Sequence, residues 1–295
     1  MLASAAMRSG SPLRGFGLVV YNVFYWPYLL VSCAVLFVPA LLIWLVTLWD
    51  PKKRALHAFT SLWGAHYLAW APFASVRIEG RELGLSAGPC VYVSNHQSMV
   101  DILAVFATYL PYRWVSKRAN FFAPFLGWTM WLNGYVPLRR GHLPSIRRML
   151  RRCEAELKAG NSLWVFPEGT RSSDGELRAF YRGAFWLAAR HGVPIVPVVM
   201  EGTRDILPKQ SLLIRPQPVV IRLLEPIHPE GFGGDDRKLR DHVRAEMGAA
   251  LAALRSGFAA EAAEAPISTP GVLASSPAHA TARAHPAKAG DPRSA

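Results

Sequence analysis

Between Arg14 and Asp50 the chain carries no charged side chain. A run of 35 residues without Asp, Glu, Lys or Arg restricts the fold more than any other feature. As one straight helix it would extend about 50 Å, against a bilayer hydrocarbon core of about 30 Å. Pro27 and Pro39 lie inside it, and each removes a backbone donor. Two arrangements fit: a tilted spanning helix from about Tyr28 to Trp49 preceded by an interfacial stretch, or two shorter helices that dip into one leaflet and return. Tyr21, Tyr25, Trp26, Trp44 and Trp49 suit interfacial anchoring. Asp50-Pro51-Lys52-Lys53-Arg54 closes the run, and its three cations favour a cytoplasmic side there. A cleaved signal peptide fits poorly, because the apolar region is too long and no small-residue cleavage site follows it.

The rest of the composition agrees with a membrane partner. The 295 residues are 51% hydrophobic and carry a formal charge of +13. The sequence pI is about 10.1 and the mean hydropathy +0.16. A basic, apolar chain suits either nucleic acid or an anionic membrane surface. Nucleic acid would account for the charge but leaves residues 15–49 unexplained, so the anionic membrane surface is the expected partner. Cys33, Cys90 and Cys153 lie far apart without metal-ligand spacing, which reads as reduced thiols in a cytosol-facing domain.

From residue 51 the pattern becomes that of an α/β domain. Residues 55–70 read as an aromatic-rich amphipathic helix. Strands are expected at 74–80, 89–94, 112–117, 135–139, 163–166, 193–200 and 219–224. Helices are expected at 101–109, at 145–158 with Ser145 as its cap, at 180–191 before Gly192, and at 235–254. Strands alternating with helices predict a mixed, largely parallel sheet flanked by helices. After residue 255 the signal ends: the last 40 residues include 13 alanines and 5 prolines. The expected organisation is a membrane segment over 1–50, a catalytic-type domain over 51–255 and a disordered tail over 256–295.

Three clusters carry chemistry. In VSNHQSMVDI, a strand stops and His96 and Asp101 follow at the junction with a helix. Five residues apart in one helix they would diverge by about 140°. With His96 in the turn and Asp101 in the first helical turn, the carboxylate can reach back to the imidazole and leave the other ring nitrogen free to accept a proton. That is a serine-protease triad without the serine, so the nucleophile must come from a substrate. The plainer alternative is a helix-end aspartate beside a turn-capping histidine. The second cluster is FPEGTR, residues 166–171, a strand end whose Gly169 permits a positive φ and whose amides and Arg171 suit an anion. The third is GYVPLRRG, residues 134–141, preceded by Lys117-Arg118, where arginines offer bidentate phosphate recognition. The arginine face 147, 148, 151 and 152 reads as a solvated basic edge. No Walker motif, G-x-S-x-G or zinc spacing occurs.

The order of these blocks, N-H-x4-D at 95–101, a lysine and G-x5-R at 134–140, F-P-E-G-T-R at 166–171 and V-P-I-V-P-V at 193–198, resembles the glycerolipid acyltransferase family over about residues 75–207. The pattern is most similar to the bacterial-type 1-acyl-sn-glycerol-3-phosphate acyltransferases. Arg139 departs from it, standing where an acidic residue often precedes the second-block arginine. The resemblance implies transfer of a fatty acyl group from acyl-CoA or acyl carrier protein to the sn-2 hydroxyl of lysophosphatidate, with His96 as base and Asp101 as its support. It implies phosphate contacts from Lys117, Arg140 and Arg171, an acceptor pocket shaped by Glu168, Gly169 and Thr170, and an acyl region shaped by Pro194 and Pro197. It implies no metal and no tightly held cofactor, since the thioester is already activated, and an active domain on the cytoplasmic face of the inner membrane. Acylation of another lysolipid, such as a lyso-ornithine lipid, and a non-catalytic lipid-binding role remain as alternatives.

Overall fold

The computed structural model describes residues 12–69 and 75–264. Helix α1 runs unbroken from Pro12 to Val46 through both prolines. The arrangement of two shorter helices does not hold: the apolar run does not fold back on itself at Pro27 or Pro39, and the helix starts well before the expected Tyr28. Prolines are tolerated in apolar helices where neighbouring groups satisfy the freed carbonyls. The reversal comes later, at Thr47–Lys53, where Lys53 takes a positive φ of 47°. Asp50 accepts from the amides of Lys52 (2.9 Å) and Arg54 (2.7 Å) and so starts helix α2, Arg54–Ala69. The return helix is therefore α2, built from the aromatic-rich segment. The two helices share a small core of Cys33, Ala40, Leu56, Trp63 and Tyr67, tied by Ser32 Oγ to Tyr67 Oη at 2.8 Å. Most of α1 stays uncovered; Phe24 and Leu30 are each 70% exposed. Over Phe16–Val46 the helix is long and apolar enough to cross a bilayer.

The domain that follows runs β1 (Val76–Glu79), α3 (Arg81–Ser86), β2 (Val91–Ser94), α4 (Val100–Phe106), β3 (Arg113–Lys117), α5 (Leu126–Leu132), β4 (Val136–Leu138), α6 (Leu143–Lys158), β5 (Leu163–Val165), α7 (Gly183–His191), β6 (Ile195–Glu201), α8 (Thr203–Ile206), β7 (Val219–Leu223) and α9 (Asp236–Glu264). The sheet has seven strands in the order β1-β7-β6-β2-β5-β3-β4. All neighbours are parallel except β6 and β7. The expected mixed, largely parallel sheet is present. Short helices at 81–86, 126–132 and 203–206 escape the sequence reading because a turn or two of helix shows no periodicity.

Alternation along β2 divides the interior. Val91 and Val93 point to one layer with Leu163, Ile195, Cys153 of α6, Phe185 of α7 and Leu239, Val243 and Met247 of α9. Tyr92 points to the other, with Trp164, Tyr112, Trp114, Phe106 and Met200. Helix α6 is capped by His142, whose Nδ1 accepts from the Ser145 amide at 3.2 Å, and not by Ser145; the Ser145 hydroxyl instead accepts from the Arg139 amide. Helix α9 continues to Glu264, past residue 255, because the Ala-rich segment is itself a strong helix former. The rest of the expected tail, 265–295, and residues 1–11 and 70–74 lie outside the described residues.

On the buried face of α2, His57 bridges Leu110 O (2.9 Å from Nε2) and Tyr135 Oη (3.0 Å from Nδ1). Burial pushes its pKa down from the ordinary 6.5 to about 4. The unfolded chain thus binds the extra proton first, and stability should fall as pH drops through the window from 6.5 to about 4, by up to about 3 kcal/mol. Thermal unfolding in detergent should show this slope between pH 7 and 5. In His57→Phe the slope should flatten, with a lower melting temperature at pH 7 because two polar partners are orphaned.

Candidate active site

The carboxyl ends of β2, β5, β3 and β4 form one edge, since these four strands are parallel and adjacent. Register sets them at one level: Val93 pairs with Val165, Trp114 with Trp164 and Val115 with Val136. This edge carries His96, Asp101, Lys117, Arg140 and residues 168–171, whereas Pro194 precedes β6 and Pro197 lies within it, paired with Val93; such an edge is where open α/β sheets hold ligands.

His96 and Asp101 meet. His96 Nδ1 lies 2.7 Å from Asp101 Oδ2. The same oxygen accepts from the amides of Gln97 (2.6 Å) and Ser98 (2.9 Å), so the aspartate, in the first turn of α4, reaches back over the turn that carries the histidine. Asp101 is fully buried, and the His96 side chain is 11% exposed. With Nδ1 as donor to Asp101, His96 Nε2 is the basic nitrogen, and it has no hydrogen-bond partner among the described residues. The histidine ring lies on Phe166, with centroids 4.0 Å apart and planes at 13°, and Phe166 in turn lies on Trp114 at 5.3 Å.

Residues that the sequence reading passed over hold this turn. Asn95 pairs with both backbone groups of Met200 at the end of β6, Nδ2 donating at 2.9 Å and Oδ1 accepting at 2.8 Å. Gln97 Nε2 donates to the same carbonyl, and Ser98 Oγ donates to Leu207 O at 2.8 Å. The signal was visible: four successive polar residues, Asn95 to Ser98, in an apolar context, and all four are buried. Buried polar groups are costly unless bonded, so such a run implies a hydrogen-bonded device.

Glu168 is buried beside them. One oxygen accepts from the His96 amide at 3.0 Å and the other from the Arg178 amide at 3.1 Å. Burial raises its pKa, with the two amides pulling the other way. The carboxylate thus joins the loop after β5 to the histidine turn, and the Ser172 amide donates a hydrogen bond to His96 O at 2.7 Å. Gly169 has the expected positive φ (67°), and a Cβ there would come within 2.6 Å of Tyr181. Thr170 is exposed and Arg171 half-buried. Lys117 ends β3 and is exposed. Arg140 lies two residues past β4, and Arg139 is exposed beside it in the same loop, so strand alternation does not set their directions. Among the described residues the side chains of Lys117, Arg140 and Arg171 have no hydrogen-bonded or ion-paired partner. The edge therefore combines one oriented base with unpaired cations on three neighbouring loops, a pairing suited to deprotonating a hydroxyl on an anionic molecule.

Comparison with known proteins shows what part of the chain is similar to. Residues 75–201 match the family model Acyltransferase. The chain is 44% identical over 168 residues to a chloroplastic 1-acyl-sn-glycerol-3-phosphate acyltransferase of Arabidopsis thaliana, covering 56% of this chain and 47% of that protein. It is 36% identical over 176 residues to the human 1-acyl-sn-glycerol-3-phosphate acyltransferase alpha, covering 58% and 62%. The chain thus spans about half the length of the plant relatives it matches. The crystal structure of the 1-acyl-sn-glycerophosphate acyltransferase PlsC from Thermotoga maritima has the same fold, with a TM-score of 0.69 over 82% of this chain and 98% of that one at 24% identity.

Glu168→Gln should expose the clamp. A glutamine offers one acceptor where two amides need one each, leaving a buried N–H unpaired at about 1–3 kcal/mol. The expected outcome is a lower melting temperature together with faster hydrogen exchange at the amide of His96 or Arg178.

Proposed function

We propose that this chain, whose residues 75–201 match the family model Acyltransferase, moves a fatty acyl group from a thioester donor to the sn-2 hydroxyl of 1-acyl-sn-glycerol-3-phosphate, giving phosphatidic acid. The observation that carries the reading is the buried Asp101 bonded to Nδ1 of His96, with Nε2 left unengaged at the ligand-binding edge of the sheet. The chemistry follows from that geometry. His96 Nε2 takes the proton of the acceptor hydroxyl as its oxygen attacks the thioester carbonyl. Asp101 steadies the imidazolium. Collapse of the tetrahedral intermediate breaks the carbon–sulfur bond, and the proton held on His96 passes to the departing thiolate. The thioester is activated already, so the reading assigns no metal or bound cofactor.

Lys117, Arg140 and Arg171 are assigned to the acceptor phosphate, with Gly169 and Thr170 at the pocket wall and Glu168 beneath it, fixing the backbone of the base. Acyl-CoA and acyl carrier protein are the two donors considered. The apolar α1 and the cations Lys52, Lys53 and Arg54 support residence at a membrane, with the domain on the cytoplasmic face of the inner membrane and anionic lipid beside it. The decisive assay is free-thiol release by purified protein given lysophosphatidate and acyl-CoA, then acyl carrier protein. No release with either donor would defeat the reading.

His96→Ala should lower turnover by about 10²–10⁴ while membrane association is kept, and Asp101→Asn should also be severe. A folded His96→Ala protein with more than about a tenth of normal turnover would remove the base assignment.

Arg140→Ala should raise KM for lysophosphatidate about ten- to a hundredfold, the equivalent of one charge-assisted hydrogen bond, with the donor KM little changed. Arg140→Lys should recover only part, because a point charge replaces a two-pronged donor. If the intact protein prefers a zwitterionic lysolipid, another lysolipid is the acceptor.

A further inference from the structure

We infer that Phe166 is a positioning residue for the base: its ring, stacked on the imidazole of His96, fixes the plane in which Nε2 points. The inference rests on the acyl-transfer reading for its kinetic consequence, but not for its structural content.

The contacts that restrain His96 act on different degrees of freedom. Glu168 holds its backbone amide at 3.0 Å. Asp101 holds Nδ1 at 2.7 Å. One hydrogen bond at Nδ1 sets where that nitrogen lies but still lets the ring tilt about the N–H···O axis. A tilt moves Nε2 away from the line of a substrate hydroxyl. A flat contact on the ring face removes that freedom, and Phe166 supplies it at 4.0 Å and 13°.

The chain places the phenyl ring there by register. Val165 pairs with Val93, so Phe166, the next residue after β5, leaves the sheet alongside the turn that carries His96. The phenyl ring is itself backed by Trp114 of β3, 5.3 Å away and inclined by 28°. Trp114 is buried and packs edge-on against Tyr112 at 5.2 Å. The stack is thus anchored in the core at one end and carries the base at the other. Well-packed cores yield little to such stacks, so the orientation persists. The contact acts during the reaction too. As His96 takes the proton it becomes a ring cation over a π face, an attractive arrangement. A leucine of similar bulk would fill the space but offer neither a flat face nor a quadrupole.

The test compares Phe166→Leu with Phe166→Tyr in the full-length protein. Phe166→Leu should lower kcat by about 10- to 100-fold with the acceptor KM nearly unchanged, as expected when orientation and not binding is lost. Phe166→Tyr, which keeps the flat face, should stay within about threefold. A readout without substrate accompanies the kinetics: the ring carbon-bound proton signals of His96, identified by their loss in His96→Ala, should lie upfield in the intact protein, move downfield in Phe166→Leu and hold their place in Phe166→Tyr. Unmoved His96 signals in Phe166→Leu, or equal turnover in all three proteins, would overturn the assignment. If the intact protein acylates no lysolipid, the functional reading fails, while the spectra still decide whether the stack orients the histidine.

Discussion

One oxygen, Oδ2 of Asp101, accepts three hydrogen bonds at 2.6–2.9 Å, from the His96 ring and from the amides of Gln97 and Ser98. The two amides fix the carboxylate, and the carboxylate fixes the imidazole tautomer. Everything else at the site is arranged so that this turn cannot move. Asn95 and Gln97 tie it to β6 through Met200, Ser98 ties it to the loop after α8 through Leu207, and Glu168 and Ser172 tie it to the loop after β5. Charge-assisted bonds in a dry site are stronger than bonds in water, and their partners need no reorganisation during proton transfer.

The sheet makes this convergence possible. Because β2, β5, β3 and β4 are parallel and level, their following loops emerge on one side, and residues as far apart as His96 and Glu168, 72 positions, meet. His96 and Glu168 each lie three residues beyond the paired Val93 and Val165, which is why the carboxylate faces the histidine amide. The antiparallel step from β6 to β7 then turns the remaining strands away. The carboxyl ends of β6, β2, β5, β3 and β4 thus share one edge.

Some of this was legible in the residues. The His96–Asp101 pair could be read because both partners are local and only a turn-then-helix geometry brings them together. The strands and long helices could be read because their periodicities are regular. The role of Glu168 could not, because its partners are backbone amides, one of them 72 residues away, and amides carry no sequence signal. The helix cap moved from Ser145 to His142 because the Ser145 hydroxyl is engaged by the Arg139 amide, a local competition between equivalent acceptors. Arg139 lies in a loop and not in the expected strand 135–139 because β4 stops at Leu138, and strand ends are poorly marked. The persistence of α1 through two prolines reflects an apolar helix environment in which a helix is the only way to satisfy its backbone.

The contacts of α1 show how an apolar helix and a polar site coexist in one chain. Asn22 is a polar residue in the uncharged run, and both ends of its amide are used: Nδ2 donates to Ile214 O at 3.0 Å and Oδ1 accepts from the Ile214 amide at 2.7 Å. One turn on, Trp26 donates to Leu212 O at 2.9 Å. The loop that receives these bonds begins at Leu207, whose carbonyl holds Ser98 of the His96 turn, and is closed by the Arg215 amide on Ile206 O at 2.8 Å. Asn22 and Ser98 therefore grip opposite ends of one short loop. These polar bonds work together with an apolar interface, since Tyr25 is buried in the domain core with Val100, Ala104 and Ile214, and Tyr21, Trp26 and Leu29 pack against that core; helix and turn are thereby held in a fixed relation.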